Sequence, residues 1–158
     1  MAMGEKYGFG VHSVSTIEID GRRASSTGVR EYLAVGDFSN AWRLLGRPYC
    51  MQGRVIRGRQ LGRKLGYPTA NMRLAVTPSP LKGIFSVRAR CCERGGSEGM
   101  WHDGVANLGT RPAVGGEGFL VEVHLFDFEG DLYGKRMEVE FVEKLRDEAH
   151  FADIDDLV

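Results

Sequence analysis

Long apolar runs are missing from this sequence: none approaches the roughly 18–20 residues that cross a bilayer as a helix. The first stretch, Met1-Ala2-Met3-Gly4-Glu5-Lys6, also lacks the apolar centre of a secretion signal. Both absences lead us to expect a cytoplasmic protein with no membrane partner. Cysteine is scarce. Cys50, Cys91 and Cys92 are odd in number and two are adjacent, which argues against a disulfide framework, and no CxxC or Cys/His spacing suggests zinc. Acidic residues are missing altogether from 49–92, where nine Lys and Arg stand; residues 93–158 hold sixteen Asp and Glu against six Lys and Arg. A net charge of zero conceals this asymmetry. Because five of the cations crowd residues 54–64 among glycines, the imbalance favours an anionic ligand there. The plainer alternative is basic strands paired with acidic ones across a sheet.

What is present divides into three parts. At 158 residues and 42% hydrophobic content the chain suits one folded domain with an appendage. Residues 1–47 are mixed. Val11 to Ile19 alternates loosely, Asp20-Gly21 signals a turn, and Val29, Leu33, Phe38, Trp42 and Leu45 form a helical pattern with Ser26 or Thr27 as its N-cap. Gly46 and Pro48 mark a boundary, giving domains of 1–47 and 48–158. Residues 48–143 are rich in glycine and in short β-prone runs, near 49–57, 69–74, 83–92, 99–108, 119–128 and 135–143. Short strands with no helix between them favour a closed barrel over a doubly wound sheet. Glu129-Gly130-Asp131 reads as a tight turn between the last two long strands, and residues 147–158 as the start of a helix. No internal repeat is visible.

Three stretches have the residue types for chemistry. In 53–71, Gly58, Gly62 and Gly66 would let backbone N–H groups approach phosphate oxygens, with cations such as Lys64 adding charge. The spacing fits neither a Walker A loop nor GxGxxG. Pro68 constrains the chain, and Thr69 and Asn71, two apart, share one side of an extended segment. Their oxygens suit Mg²⁺, but on spacing alone a turn with side-chain-to-backbone bonds is the commoner use of such residues. In 119–128, alternation turns Val121, Val123 and Leu125 inward and leaves Glu122 and His124 beside Leu120 and Phe126. A carboxylate so flanked suits a general base, or an ordinary cross-strand ion pair. In 145–151, Arg146 and Phe151 offer a hydrogen bond and a stacking surface to a planar ligand, although a solvated helix start would look the same. Asn107-Leu108-Gly109-Thr110-Arg111-Pro112 reads as a turn-rich loop.

Taken in order, these stretches resemble the riboflavin kinase family over about residues 46–157. The marks are Leu45-Gly46-Arg47-Pro48-Tyr49, Gly53-Arg54-Val55, Gly62 to Asn71, Gly83-Ile84-Phe85, Gly104 to Pro112, Glu122-Val123-His124, Asp131-Leu132-Tyr133-Gly134 and Leu145-Arg146-Asp147-Glu148. The resemblance implies a mainly β fold, a six-stranded Greek-key closed barrel with a C-terminal helix, preceded here by a mixed α/β segment. It implies Mg²⁺-dependent transfer of the ATP γ-phosphate to riboflavin, giving FMN. Thr69 and Asn71 would ligate the metal. Gly58, Gly62, Lys64, Gly66, Pro68 and Tyr133 would meet the nucleotide, and Glu122 would be the catalytic base. Arg146, Glu148 and Phe151 would contact the flavin.

Ile17 to Gly21 followed by Ser25-Ser26-Thr27-Gly28-Val29-Arg30 is similar to the end of the adenylyltransferase domain of bacterial bifunctional FAD synthetases, where the Ser-Ser-Thr-x-x-Arg piece helps bind ATP phosphates. The His-x-Gly-His of that domain is not in this sequence, so the chain reads as a fragment without adenylyltransferase activity. Phe9, Leu33 and Trp42 would then be exposed and favour self-association or disorder. The rival reading is a barrel that binds single-stranded nucleic acid. Such barrels use aromatic platforms among their cations, and residues 53–66 contain no aromatic residue, so no nucleic-acid partner is expected.

Overall fold

A computed structural model describes residues 2–12, 15–58, 62, 66–74, 79–92, 99–112 and 119–148. The N-terminal part opens with helix α1 (Ala2–Tyr7). Among its described residues, the alternating stretch before Asp20 contributes a two-residue strand, β1 (Glu18–Ile19), paired with β2 (Arg22–Arg23). Asp20 and Gly21 between them have φ of 51° and 74°, the double left-handed geometry of a tight type I′ hairpin turn.

The helical pattern from 26 to 45 proves to be two helices. Helix α2 (Ser26–Ala34) is capped by Ser25, one residue before the expected caps, whose Oγ accepts from Gly28 N at 3.1 Å. Gly36, at φ 79°, turns the chain. Asp37 then caps α3 (Phe38–Leu45), accepting from Asn40 N at 3.0 Å and Asn40 Nδ2 at 2.7 Å. These two bonds, side chain first, hold the Asp37 carboxyl below its ordinary pKa. The break rotates α3, so Phe38 and Ala41 face inward; Leu33, expected to be exposed, is buried at 2%, whereas Phe9 and Trp42 are 54% and 55% exposed as expected.

Six strands follow: β3 (Cys50–Ile56), β4 (Ala70–Leu74), β5 (Gly83–Cys92), β6 (His102–Pro112), β7 (Phe119–Leu125) and β8 (Arg136–Arg146). They close into an antiparallel barrel in the order β3-β4-β7-β6-β5-β8. Within it β5, β6 and β7 are successive neighbours and β8 returns beside β5, which is the Greek-key arrangement. Alternation fills the interior with Val55, Met72, Phe85, Val87, Ala89, Ala106, Val121, Val123, Met137 and Val139, all at most 1% exposed. Closure removes sheet edges and desolvates this set on every side. One end is sealed from outside the barrel. The Phe38 ring of α3 lies 5.9 Å from that of Phe85 and 6.1 Å from that of Phe141, and Tyr49 stands 6.0 Å from Phe141.

Three expectations need correction. The stretch from Asn107 to Pro112 is strand, the second half of β6, not a loop. Glu129-Gly130-Asp131 is not a tight hairpin: β7 ends at Leu125 and β8 starts at Arg136, and the two are not neighbours in the barrel. The N-cap and the single helical run are the third. The helix expected over 147–158 falls, from Ala149 on, outside the described residues. Part of the charge asymmetry resolves into pairing across β5 and β8, where Arg88 meets Glu140 at 2.5 Å and Arg90 meets Glu138 at 2.7 Å. No helix among the described residues is long and apolar enough to cross a membrane.

Candidate active site

The barrel register sets three polar residues in a row. Asn71 of β4 is opposite Glu122 of β7, and Glu122 is opposite Asn107 of β6. Ile56 continues the row beyond Asn71, and Ile84 and Arg146 continue it beyond Asn107. Neighbouring strands stand about 4.8 Å apart, so the three side chains stand side by side across three strands. All point outward, because their sequence neighbours Ala70 and Met72, Val121 and Val123, and Ala106 and Leu108 fill the interior.

At the Asn71 end the glycines fold closely over the strand. A Cβ on Gly58 would collide with the Asn71 carboxamide, and one on Gly62 would collide with Tyr67 O and lie 3.4 Å from Thr69 Oγ1. This cover leaves Asn71 only 7% exposed although it faces outward. Gly66 has φ 85° and Gly62 O accepts from Tyr67 N at 2.8 Å, a turn that delivers Pro68 and half-buried Thr69 to the start of β4. His124 Nδ1 lies 2.9 Å from Pro68 O. A carbonyl only accepts, so Nδ1 carries the proton and pins the bend. Tyr133 belongs to the same end: the Arg57 guanidinium sits 5.3 Å from its ring centre, and Gly134 N donates to Val55 O at 2.9 Å. Lys64 lies outside the described residues.

Could this end hold Mg²⁺? Among the described residues no group of three or more His, Cys, Asp or Glu forms a metal cage. Mg²⁺ bound with a nucleotide needs only one or two protein oxygens, the rest being phosphate and water. Thr69 and Asn71 provide two neutral oxygens beside the backbone of Gly58 and Gly62, and they fit.

At the other end, Glu148 is brought to the row. A Cβ on Gly109 would collide with Glu148 Oε1, so that carboxylate packs against β6 two residues beyond Asn107. Arg146 pairs with Ile84 in the sheet and donates to Asp147 O at 3.3 Å. Phe151 lies outside the described residues. Glu122 is exposed between these ends, rather than enclosed by Leu120 and Phe126 as its neighbours suggested.

The riboflavin kinase profile, Flavokinase, matches residues 45–158. The chain belongs to the riboflavin kinase family. It is 45% identical over 99% of its length to a bifunctional riboflavin kinase/FMN adenylyltransferase from Haemophilus influenzae, and 47% identical over 98% to one from Pseudomonas fluorescens. The chain spans about half the length of these curated relatives, 49% and 48%. A crystal structure named for a macrolide-efflux protein of Streptococcus pneumoniae superimposes with a TM-score of 0.73 at 30% identity, over 98% of this chain and 49% of that one. That name describes the other protein.

This member of the riboflavin kinase family has a cavity of about 460 Å³ elsewhere, lined by Ser25, Ser26, Arg30, Leu33, Tyr49 and Pro80 among others. The Ser25 to Arg30 segment therefore borders a space of its own, apart from the barrel row. Burial, then Glu138 and Glu140, push the Cys50 thiol up to about 11, away from the thiolate form that acts as a nucleophile. Asn107 was overlooked in the sequence. The signal was there, since Ala106 and Leu108 alternate with it, but glycine, threonine and proline just downstream suggested a loop.

Proposed function

We propose that this chain is a Mg²⁺-dependent riboflavin kinase acting in the cytoplasm, with ATP and riboflavin as substrates and FMN as product. The observation that carries the reading is the register placing Glu122 between Asn71, on the glycine-covered side, and Asn107 and Glu148 on the other. Donor and acceptor can then meet over one carboxylate. Glu122 takes the proton of the riboflavin 5′-hydroxyl. The 5′-oxygen bonds to the γ-phosphorus in line as the bond to the β–γ bridging oxygen breaks, and ADP leaves. When bound, Mg²⁺ neutralises charge on the phosphates, with Thr69 and Asn71 as its protein ligands. Gly58, Gly62, Lys64, Gly66, Pro68 and Tyr133 line the nucleotide. Arg146, Glu148 and Phe151 face the flavin. Catalysis of this kind rests on positioning and electrostatics.

In this reading the kinase unit is 48–158, and residues 1–47 represent the adjoining part of the longer relatives. The FMN adenylyltransferase half of their names is not assigned to this chain. The test is chromatographic: riboflavin, ATP and Mg²⁺ should yield FMN without FAD, and no FMN should form when Mg²⁺ is chelated. Failure to form FMN from riboflavin under any metal would refute the proposal.

A further inference from the structure

Asn107 holds an unusual atom. Its Oδ1 is shielded from water and has no hydrogen-bond partner among the described residues. A desolvated acceptor without a donor is costly, and such groups are few in folded proteins. Nothing in the sheet requires it. The β6 backbone bonds do not involve the side chain, and an apolar residue would serve an outward strand position between Val105 and Gly109 at least as well.

Its place says what donor is missing. Along the row the order is Asn71, Glu122, Asn107, with Glu148 packed on Gly109 just beyond. If the reacting hydroxyl is at Glu122 and the flavin ring toward Glu148 and Arg146, the polyol chain joining them crosses Asn107. The step from Glu122 to Asn107 is one strand spacing, about 4.8 Å, within reach of the secondary hydroxyls adjacent to the reacting one. Hydroxyls are donors, and Oδ1 is an acceptor.

We infer that Asn107 is a specificity-determining residue for the phosphate acceptor: its carboxamide oxygen accepts a hydrogen bond from a secondary hydroxyl of the riboflavin polyol chain. The inference rests on the proposed function and adds to it a contact with the chain rather than with the ring or the nucleotide. The acceptor site thereby selects a polyol-bearing flavin over a bare one, because only the former completes Oδ1.

Quenching of flavin fluorescence tests this on the full chain, with riboflavin and with lumiflavin, the ring system without the polyol. Asn107→Leu and the smaller Asn107→Ser should bind riboflavin about tenfold more weakly, with lumiflavin affinity and the KM for ATP unchanged. In the unaltered protein, one of the 2′-, 3′- and 4′-deoxy analogues of riboflavin should bind about tenfold more weakly, and Asn107→Leu should no longer distinguish that analogue from riboflavin. Unchanged riboflavin affinity in both variants overturns the inference, as does equal weakening of riboflavin and lumiflavin. Equal binding of all three deoxy analogues to the unaltered protein overturns it without any variant. If the unaltered protein forms FMN while these results come out negative, the inference alone fails. If it neither binds riboflavin nor forms FMN, the proposed function fails and takes the inference with it.

Discussion

Glu122 and Gly58 act on the row in opposite ways, one by its carboxylate and the other by having no side chain. Glu122→Gln keeps the shape of the strand and removes the proposed proton acceptor. Since general-base help is typically worth about 10²–10⁴-fold, the variant should lose that order of kcat for FMN formation while calorimetry finds its ATP affinity intact. Turnover at the unaltered rate would exclude Glu122 as the base. Gly58→Ala introduces a methyl group where the Asn71 carboxamide already is. Asn71 is closed in on an otherwise tightly paired strand, so the residue-58 segment has to lift. Affinity for a non-hydrolysable ATP analogue with Mg²⁺ should fall by about tenfold, or 1.4 kcal/mol. Undiminished affinity would mean that the glycine cover has no part in holding the nucleotide.

Elements show what was legible in the sequence and what was not. The strands stood out because interior and exterior residues alternate locally, as in Val121, Val123 and Leu125 against Glu122 and His124. Partners did not, since nothing local tells β8 to return between β5 and β3; the Greek key was legible only through family resemblance. Glu129-Gly130-Asp131 failed for the same reason, because turn residues serve a wide connection as readily as a hairpin. Asn71 and Glu122 were visible as isolated candidates, whereas their adjacency, and the membership of Asn107, exist only in the register. Helix α3 was legible as amphipathic but not as part of the barrel. Its Phe38 ring joins Phe85 and Phe141 in one aromatic cluster. Phe38→Ala should therefore cost about 3–5 kcal/mol and lower the melting temperature by about 10 °C. Trp42→Ala on the same helix, where the ring is exposed, should stay within about 0.5 kcal/mol. Equal melting of the two variants would show that α3 does not seal the barrel.

Across the whole molecule the basic and acidic halves of the chain serve two purposes. Arg88 and Arg90 of β5 neutralise Glu140 and Glu138 of β8, with Trp101 lying 5.7 Å from one guanidinium and 4.4 Å from the other. That share of the asymmetry ties β5 to β8. The cations among the glycines between 54 and 64 have no acidic residue near them in sequence, and in the proposed function they meet the nucleotide. The structural share has a pH signature. Burial opposes the charge on Glu138, but hydrogen bonds from Gln52 and Arg90 outweigh it and hold its carboxyl below the ordinary value of 4.5. A carboxyl depressed on folding stabilises the fold above its unfolded pKa, and that contribution disappears as pH falls through the folded value. Compared by melting temperature, Glu138→Gln should be less stable than the unaltered chain at pH 7. The gap should persist down to about pH 4.5 and close below it. A gap that stayed constant to pH 3 would show that the Glu138 charge, as distinct from its shape and neutral hydrogen bonds, contributes nothing to the cohesion of β3, β5 and β8.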